Sequence, residues 1–335
     1  MSDITKIAVD AMGGDGSPKK IVDGIIHSHK SNKNNYFKIF GNKIQIESFI
    51  KDKLSNDFFE VIHTDNVVKS TDSPLEAAKR GKDTSMWLAI ESVKNKEADI
   101  VISAGNTGAL LVLSKLNLKM IENIDKPALS ALWPNKKNIN VVLDLGANIE
   151  CSDKNLVDFS IMGSSLFKSL YPNDNPEVAL LNVGSEELKG NEIIKKAYQS
   201  LQNNRNKNFN FQGYVEGNQI MDGKVNVIVT DGFTGNIALK TAEGTANFIM
   251  NEFRNSMTSN FLGKISSLIN IKNLKKVKNK LDPRLYNGAI LIGLNSPVVK
   301  SHGSTDYIGF SHSLNVCIKI VKNNLIQKIK DNIIK

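Results

Sequence analysis

The sequence predicts an α/β protein, with a three-layer α/β/α arrangement around a largely parallel sheet. Short apolar, β-branched runs such as Ile100–Ile102 alternate with segments of helical periodicity, which favours a parallel sheet covered on both faces. Glycine-rich polar turns follow strand after strand. The 335 residues, 41% hydrophobic and 23% charged, suffice for a large core and have the composition of an ordinary globular protein.

The first half of the chain supplies the clearest local signals. Ser73-Pro-Leu-Glu76 predicts a helix start, because Ser is a good N-cap, Pro suits the first helical position and Glu follows the cap by three residues. Strands are predicted at Lys6–Val9, Tyr36–Gly41, Phe58–His63 and Ile100–Ile102, and helices at 18–29, 44–53, 84–95 and 109–118.

The second half continues the same alternation. No linker or composition shift marks a boundary, so we expect one domain over residues 1–335, with 253–281 as a basic amphipathic helical excursion. A buried strand precedes Asp144, and further strands are predicted at Glu177–Val183, Phe211–Glu216 and Val225–Val229. Strand-like segments 287–294 and 298–303 follow, and helices are predicted at 152–170, 191–202, 237–254 and 307–330.

Polar and glycine-rich loops at five predicted strand ends suggest a binding site. Ligands of parallel sheets bind beyond the carboxyl ends of the strands, where helix N-termini favour anions. We therefore expect the five loops to share one crevice. The alternative is that the glycines only permit turns and that the aspartates cap helices. The loops are Asp10–Asp15, Ser103–Gly108, Asp144–Asn148, Gly184–Gly190 and Asp231–Asn236.

The sequence lacks the motifs of several common classes of enzyme. It has no P-loop, no G-x-G-x-x-G fingerprint and no G-x-S-x-G elbow, and its histidines and cysteines lack zinc-type spacing. We expect Cys151 to be a packed core thiol rather than a nucleophile, because no histidine lies nearby in sequence. Backbone amides with the cations Lys240, Lys300 and His302 suit an oxyanion such as phosphate, which is itself a nucleophile.

The charge of the chain leaves several partners open. A net charge of +9 and a pI of about 9.2 suit nucleic acid, anionic lipid or an acidic protein, although Lys, Asn and Ile are abundant throughout, as a skewed genome would produce. No apolar run reaches about 18 residues and the N-terminus has no leader-like segment, so we expect neither a membrane span nor export. Two cysteines, Cys151 and Cys317, suit a reducing cytoplasm.

Six sequence blocks together resemble the signature blocks of the phosphate acyltransferase family called PlsX. They appear in family order and cover nearly the whole chain. The sequence departs from the charged pattern of many members at Gly217-Asn-Gln219, so no role is assigned there. The blocks are Asp10–Asp15, Ser103–Ala109, Leu143–Asn148, Leu180–Gly190, Thr230–Asn236 and Val299–Gly303.

The resemblance implies an acyl-[acyl carrier protein]:phosphate acyltransferase, which moves a long-chain acyl group from the carrier-protein thioester to inorganic phosphate for phospholipid synthesis. It also implies a fold similar to phosphate acetyltransferases and isocitrate dehydrogenases, a homodimer, and no metal or organic cofactor. The expected partners are acyl carrier protein, phosphate, an anionic membrane surface and a downstream membrane glycerol-3-phosphate acyltransferase, with no nucleic acid. We expect a cytoplasmic protein associated peripherally with the inner face of the cell membrane.

On this interpretation phosphate attacks the thioester directly. Lys300 and His302 would neutralise phosphate or protonate the leaving thiolate, Asp231 would orient or deprotonate phosphate, and Asn236 would hold phosphate or the developing oxyanion. The expected phosphate or substrate contacts are Asp10, Gly13, Gly14, Asp15, Ser103, Gly105, Asn106, Thr107, Gly108, Asp144, Asn148, Gly232, Thr234, Gly235 and Lys240.

The segment Phe253–Leu281 combines apolar residues at helical spacing with lysines. Such a segment suits an interfacial membrane helix or a dock for the acidic carrier protein, and the alternative is a helix hairpin buried between two subunits. The expected membrane or carrier contacts are Phe261, Leu262, Ile265, Leu268, Lys272, Lys275 and Lys276.

Three other functions remain as alternatives. A phosphate acetyltransferase-like enzyme would use short acyl-coenzyme A, so substrate chain length separates it from the first interpretation. A nucleotide-dependent dehydrogenase is disfavoured because neither an acidic metal cluster nor a dinucleotide fingerprint is visible. A non-catalytic membrane scaffold would have no need of the polar loops.

Overall fold

The computed structural model describes residues 4–172, 174–203, 208–259, 261–280 and 282–333, and over these ranges the strands form one 11-stranded sheet. The apolar, β-branched runs of the sequence form its buried strands. The strands are β1 (Thr5–Asp10), β2 (Asn35–Gly41), β3 (Phe59–His63), β4 (Ile100–Ser103), β5 (Ala128–Pro134), β6 (Ile139–Leu143), β7 (Glu177–Asn182), β8 (Asn210–Glu216), β9 (Val227–Val229), β10 (Ala289–Ile292) and β11 (Val298–Lys300).

Helices connect most of these strands, as the alternating pattern predicts. Short 3₁₀ turns lie at Asn56–Phe58, Gly217–Asp222 and Pro283–Tyr286. The α-helices are α1 (Lys19–Ser31), α2 (Lys43–Ile50), α3 (Pro74–Arg80), α4 (Ser85–Lys94), α5 (Thr107–Leu118), α6 (Asp153–Leu170), α7 (Glu192–Gln202), α8 (Gly232–Thr258), α9 (Phe261–Ile269), α10 (Ile271–Lys280), α11 (Tyr307–Lys322) and α12 (Leu325–Ile333).

The sheet consists of two parallel halves that run in opposite directions. Its strand order is β3-β2-β1-β4-β11-β10-β5-β6-β9-β7-β8. The strands from β3 to β11 are mutually parallel, and so are those from β6 to β8. Between them, β10 is antiparallel to β11, β5 to β10, and β6 to β5. The predicted α/β class and largely parallel sheet are therefore confirmed.

The reversal of direction separates the polar loops. We call the side where β1, β4 and β11 end the first edge, and the opposite side, where β6, β7 and β9 end, the second edge. Asp10–Asp15 and Ser103–Gly108 lie at the first edge, whereas Asp144–Asn148, Gly184–Gly190 and Asp231–Asn236 lie at the second. The expectation that all five loops share one crevice is wrong, because three antiparallel pairings reverse the chain direction between the two halves.

Most local predictions agree with the structure. The capping box of Ser73 and Glu76 forms, with Ser73 N–H donating to the Glu76 carboxylate at 2.8 Å and Glu76 N–H donating to Ser73 Oγ at 3.2 Å. The predicted C-terminal helix is instead two helices, α11 and α12, because the chain turns at Asn324 with a φ of 51°. Asn adopts this left-handed conformation more readily than most residues. Strand β5 was not predicted.

Apolar helix faces cover the sheet on both sides. Phe37 of β2, Phe159 of α6 and Phe310 of α11 are fully buried in the largest cluster of core side chains. A second cluster joins the sheet to α4 and α5. Burying each large apolar side chain contributes about 1.5–3 kcal/mol, so these layers hold the strand ends of the candidate site in fixed positions.

Helices α8, α9 and α10 form an exposed helical arm. α8 has 27 residues, about 40 Å at 1.5 Å per residue, and only Gly232 and Gly235 of it are buried. Within the described ranges, no helix has the length and hydropathy needed to span a membrane. The side chain of Leu262 lies outside the described part of the chain. Exposed apolar side chains of the described part of the arm are Phe233, Ile237, Phe248, Ile249, Met250, Phe253, Phe261, Ile265, Leu268, Ile269 and Ile271.

Candidate active site

Two glycine loops meet backbone to backbone at the first edge. A Cβ on Gly13 would stand 2.5 Å from the amide nitrogen of Gly105, so no side chain fits there. Gly14 has a φ of 85°, and a Cβ on it would lie 2.9 Å from the carbonyl oxygens of both Ala104 and Gly303. The loops after β1, β4 and β11 therefore form one tightly packed unit.

A buried carboxylate holds this unit together. Asp10 is 1% exposed, and its oxygens accept hydrogen bonds from Ser85 Oγ at 2.7 Å and Ser103 Oγ at 2.6 Å. Ser103 Oγ in turn accepts from the Gly105 amide at 3.0 Å. Burial raises the pKa of Asp10, while the two hydroxyls act in the opposite direction. Asp10 therefore orients the glycine loop, which is a role other than helix capping.

Lys300 supplies a partly desolvated cation at the end of β11. Its Nζ donates to the carbonyl oxygens of Ser301 and Ala104, the latter at 3.4 Å. Burial, reinforced by the ammonium of Lys20, lowers the pKa of Lys300 to about 8, while Asp10 raises it. Lys300 is therefore mostly charged at neutral pH but gives up its proton more easily than an exposed lysine.

His302 follows Lys300 in the same loop. Its Nδ1 lies 3.0 Å from Ser304 Oγ. Partial burial, with Lys300 as the next largest cause, lowers the pKa of His302, so the imidazole is mostly neutral at pH 7. Lys240 and Glu243 of α8, paired at 2.7 Å, also act on this pKa, so the middle of α8 passes close to the first edge. The structure thus brings Lys240 near His302.

The polar side chains of the Asp144–Asn148 loop at the second edge are occupied by local hydrogen bonds. The buried carboxylate of Asp144 accepts five: from the amides of Leu129, Gly146, Ala147 and Asn148, and from Asn148 Nδ2, at 2.7–3.1 Å. A Cβ on Gly232 or Gly235 would collide with the backbone of this loop, which explains why glycine begins α8. This cluster therefore has a structural role: it connects the loop after β6 to the start of α8.

Asp231 caps α8. Its carboxylate accepts from the amide of Thr234 and from Thr234 Oγ1, both at 2.8 Å. Asn236, one turn into the helix, donates from Nδ2 to Leu145 O at 3.3 Å. Both residues lie at the second edge, so the structure does not bring them together with Lys300 and His302 as the sequence interpretation expects.

Asn106 is likewise a cap. Its Oδ1 accepts from the Ala109 amide at 3.0 Å and its Nδ2 donates to the carbonyls of Ser70 and Asp72. Thr107 is exposed in the first turn of α5, and Gly108 lies against Pro74. The N-terminus of α5 therefore faces the first edge, but the side chain of Asn106 is already used in holding the adjacent loop.

Three residues at the first edge are not among the site residues predicted from the sequence. Lys20 donates to Gly303 O at 2.6 Å, Ser85 binds Asp10, and Asn287 accepts from the His302 amide at 2.9 Å and donates to Ser301 Oγ at the same distance. Lys20 had a usable signal, since it lies in the first turn of the helix after the first polar loop. Ser85 and Asn287 reach the site only through folding.

Cys151 is a packed thiol, as predicted. It is 8% exposed, and burial, followed by the nearby Asp144 carboxylate, raises its pKa to about 11. A cysteine with this pKa is almost fully protonated at neutral pH and is therefore a poor nucleophile. Across the described ranges, no group of three or more His, Cys, Asp or Glu side chains is arranged to hold a metal ion.

Comparison with known proteins assigns the family. The model of one family, described as fatty acid synthesis protein, matches residues 5–328. The chain belongs to this family, PlsX. A phosphate acyltransferase of Pelagibacter ubique is 73% identical over 333 residues, which cover 99% of this chain and 100% of that protein. Phosphate acyltransferases of Rhodospirillum rubrum (43% over 336 residues) and Maricaulis maris (41% over 339 residues) each align with 100% of this chain and 96% of their own length. The chain is an acyltransferase.

Solved structures show the same fold in more distant proteins. The EutD phosphotransacetylase from Staphylococcus aureus has a TM-score of 0.63 at 14% identity, covering 96% of this chain and 95% of that one. A phosphotransacetylase from Streptococcus pyogenes has a TM-score of 0.63 at 13% identity with the same coverage. The predicted similarity of fold between this PlsX member and phosphate acetyltransferases is confirmed.

Proposed function

We propose that this PlsX member transfers a long-chain acyl group from the thioester of acyl carrier protein to inorganic phosphate, and that the acyl phosphate enters phospholipid synthesis. The names of its relatives, phosphate acyltransferases within a fatty acid synthesis family, support phosphate as the acceptor and a lipid pathway. The observation that carries the proposal is Lys300, a partly desolvated cation among glycine loops at the first edge. Such surroundings suit a small oxyanion.

Phosphate binds at the first edge in this proposal. Lys300 attracts its charge, and His302 and Lys240 flank it. The first amides of α5, at Thr107 and Gly108, point N–H groups and the positive end of the helix dipole toward the same edge. Asp10 and Ser103 act on the ligand indirectly, by fixing the loop that carries Gly105.

The proposed reaction needs no nucleophile from the enzyme. An oxygen of the phosphate dianion attacks the thioester carbonyl carbon, the C–O bond forms, and the C–S bond breaks. The thiolate receives the proton that phosphate brought, so the products are an acyl phosphate dianion and a free thiol. With a pKa of about 8, Lys300 is suited to donate that proton to sulfur and to recover one from phosphate.

We place Asp231, Asn236, Asp144 and Asn148 outside the phosphate site. Their hydrogen bonds, described above, join the loops after β6 and β9 to the start of α8. In this proposal they hold α8 at the angle that carries Lys240 toward the first edge.

The helical arm is the proposed contact with an anionic membrane, which would place the protein at the cytoplasmic face. Phe261 is 77% and Leu268 is 69% exposed on α9, and Lys272, Lys275 and Lys276 are exposed on α10. Apolar side chains that insert beside lysines that attract anionic headgroups are typical of interfacial helices. The apolar residues of α8 suit the second subunit of a homodimer. At the membrane, the protein would deliver acyl phosphate to the glycerol-3-phosphate acyltransferase that the family resemblance implies.

The deciding experiment is thiol release from palmitoyl-acyl carrier protein by the purified protein, with and without inorganic phosphate. We expect release that depends on phosphate, with acyl phosphate trapped as the hydroxamate. Acetyl-coenzyme A serves as the comparison substrate. Turnover of acetyl-coenzyme A without turnover of the carrier-protein thioester would overturn the proposed donor. Inactivity with both donors, in folded protein that binds anionic liposomes, would instead support a scaffold.

A further inference from the structure

Lys20 reaches the first edge from helix α1, whereas Lys300 lies at the end of β11. Lys20 lies in the first turn of α1, and its Nζ donates to Gly303 O at 2.6 Å. The Asp15 amide donates to the same oxygen at 2.9 Å. The chain thus holds this lysine against the loop that carries His302, although 283 residues separate Lys20 from Gly303.

The two lysines are anchored on either side of Gly14. The point where a Cβ on Gly14 would stand is 2.9 Å from Gly303 O, which accepts from Lys20, and 2.9 Å from Ala104 O, which accepts from Lys300. The two acceptor oxygens are therefore neighbours. Any side chain at position 14 would enter the space between them.

The electrostatics of the pair agree with this geometry. Burial lowers the pKa of Lys20, while the carboxylate of Asp15 raises it, and the ammonium of Lys20 is the second cause, after burial, that lowers the pKa of Lys300. Asp10 is the buried carboxylate nearby, and its burial raises its own pKa. Two adjacent ammonium groups tied to carbonyl oxygens repel each other, and a dianion between them would remove that repulsion.

We propose that Lys20 is a second phosphate ligand, so that the Lys20 and Lys300 ammonium groups together bind the phosphate dianion. This inference rests on the proposed phosphate site at the first edge. The pair recognises a compact, doubly charged oxyanion, and a monoanion of similar size would engage it less well.

Direct titration of inorganic phosphate into the full-length protein, without any acyl donor, tests the inference. Calorimetry should show binding that Lys20→Met weakens about 10- to 100-fold, the usual value of a charge-assisted hydrogen bond. Lys19→Met is the matched control, because Lys19 is the neighbouring residue, is 64% exposed and pairs with Asp23. It should bind phosphate like the wild type.

A purely structural role for Lys20 predicts a different pattern. Lys20→Gln keeps a donor for Gly303 O but has no charge, so it should bind phosphate as weakly as Lys20→Met, whereas Lys20→Arg should recover part of the affinity. In steady-state assays Lys20→Met should raise the KM for phosphate and leave the KM for the acyl donor unchanged. Wild-type affinity in Lys20→Gln would overturn the inference.

The variant Lys300→Met shows whether the inference about Lys20 fails alone or fails together with the proposed phosphate site. If Lys300→Met weakens phosphate binding and Lys20→Met does not, the inference is wrong and the proposed site stands. If neither substitution weakens binding, the proposed site is wrong and the inference falls with it. Thermal unfolding of each variant, compared with Lys19→Met, establishes that the proteins titrated are folded.

Discussion

The protonation of Lys300 should control phosphate binding at the scale of single residues. Burial and Lys20 lower its pKa to about 8, so the side chain is charged below that pH and neutral above it. We predict that the affinity for the phosphate dianion changes little between pH 6.5 and 7.5 and falls as pH rises through about 8. Titration calorimetry across this range measures it.

Lys300→Arg is the control for that pH profile. A guanidinium stays charged at every pH that the protein tolerates, so the fall near pH 8 should disappear even if the absolute affinity is lower. A variant that keeps the same alkaline fall would show that another group titrates, and the assignment to Lys300 would fail.

At the scale of elements, Asp231 should act as a helix cap. Removing an N-cap side chain typically costs about 0.5–2 kcal/mol. We predict that Asp231→Ala lowers the free energy of unfolding by that amount, while Asp231→Asn, which can still cap, changes it little. Urea unfolding measures both. The KM for phosphate should stay within a factor of two, and a selective rise in it for the Asn variant would restore Asp231 to the phosphate site.

Helix α9 should bind the membrane through its exposed apolar face. Phe261→Glu/Leu268→Glu places two charges on that face, which opposes insertion. We predict loss of flotation with liposomes that contain phosphatidylglycerol, and no loss of thiol release in solution. The matched control is Ile44→Glu/Leu75→Glu, which changes two side chains that are 79% and 64% exposed elsewhere on the protein. Equal loss in both double variants would contradict a specific role for α9.

At the scale of the whole molecule, the reversed sheet separates the proposed phosphate-binding edge from the edge where Asp144 makes its hydrogen bonds. Asp144 accepts five hydrogen bonds at the second edge, and leaving buried donors unpaired costs about 1–3 kcal/mol each. We therefore predict that Asp144→Ala lowers the free energy of unfolding by at least about 1–3 kcal/mol without changing phosphate affinity in the folded protein. Glu122→Ala, an exposed carboxylate, is the control. Lost phosphate binding by folded Asp144→Ala would place phosphate at the second edge.

Most helices and strands could be predicted from the sequence, because the signals that specify them lie in neighbouring residues. The capping box at Ser73 and the buried run at Ile100–Ile102 depend on neighbouring residues alone. Strand β5 was missed, since Ala128–Pro134 alternates weakly and ends in proline, and only its antiparallel partners β6 and β10 make it a strand. Asn323 and Asn324 could have marked the break before α12.

The α/β class, the family and the presence of glycine loops with Lys300 and His302 could all be predicted before the structure was known, because motif spacing and periodicity are properties of the chain. Which of these loops meet depends on the tertiary structure. Strand direction depends on pairings between distant segments, and the antiparallel pairings of β10 and β5 send Asp144 and Asp231 to the edge opposite Lys300. The same long-range packing brings Lys20 to Gly303, a contact that no local pattern in the chain encodes.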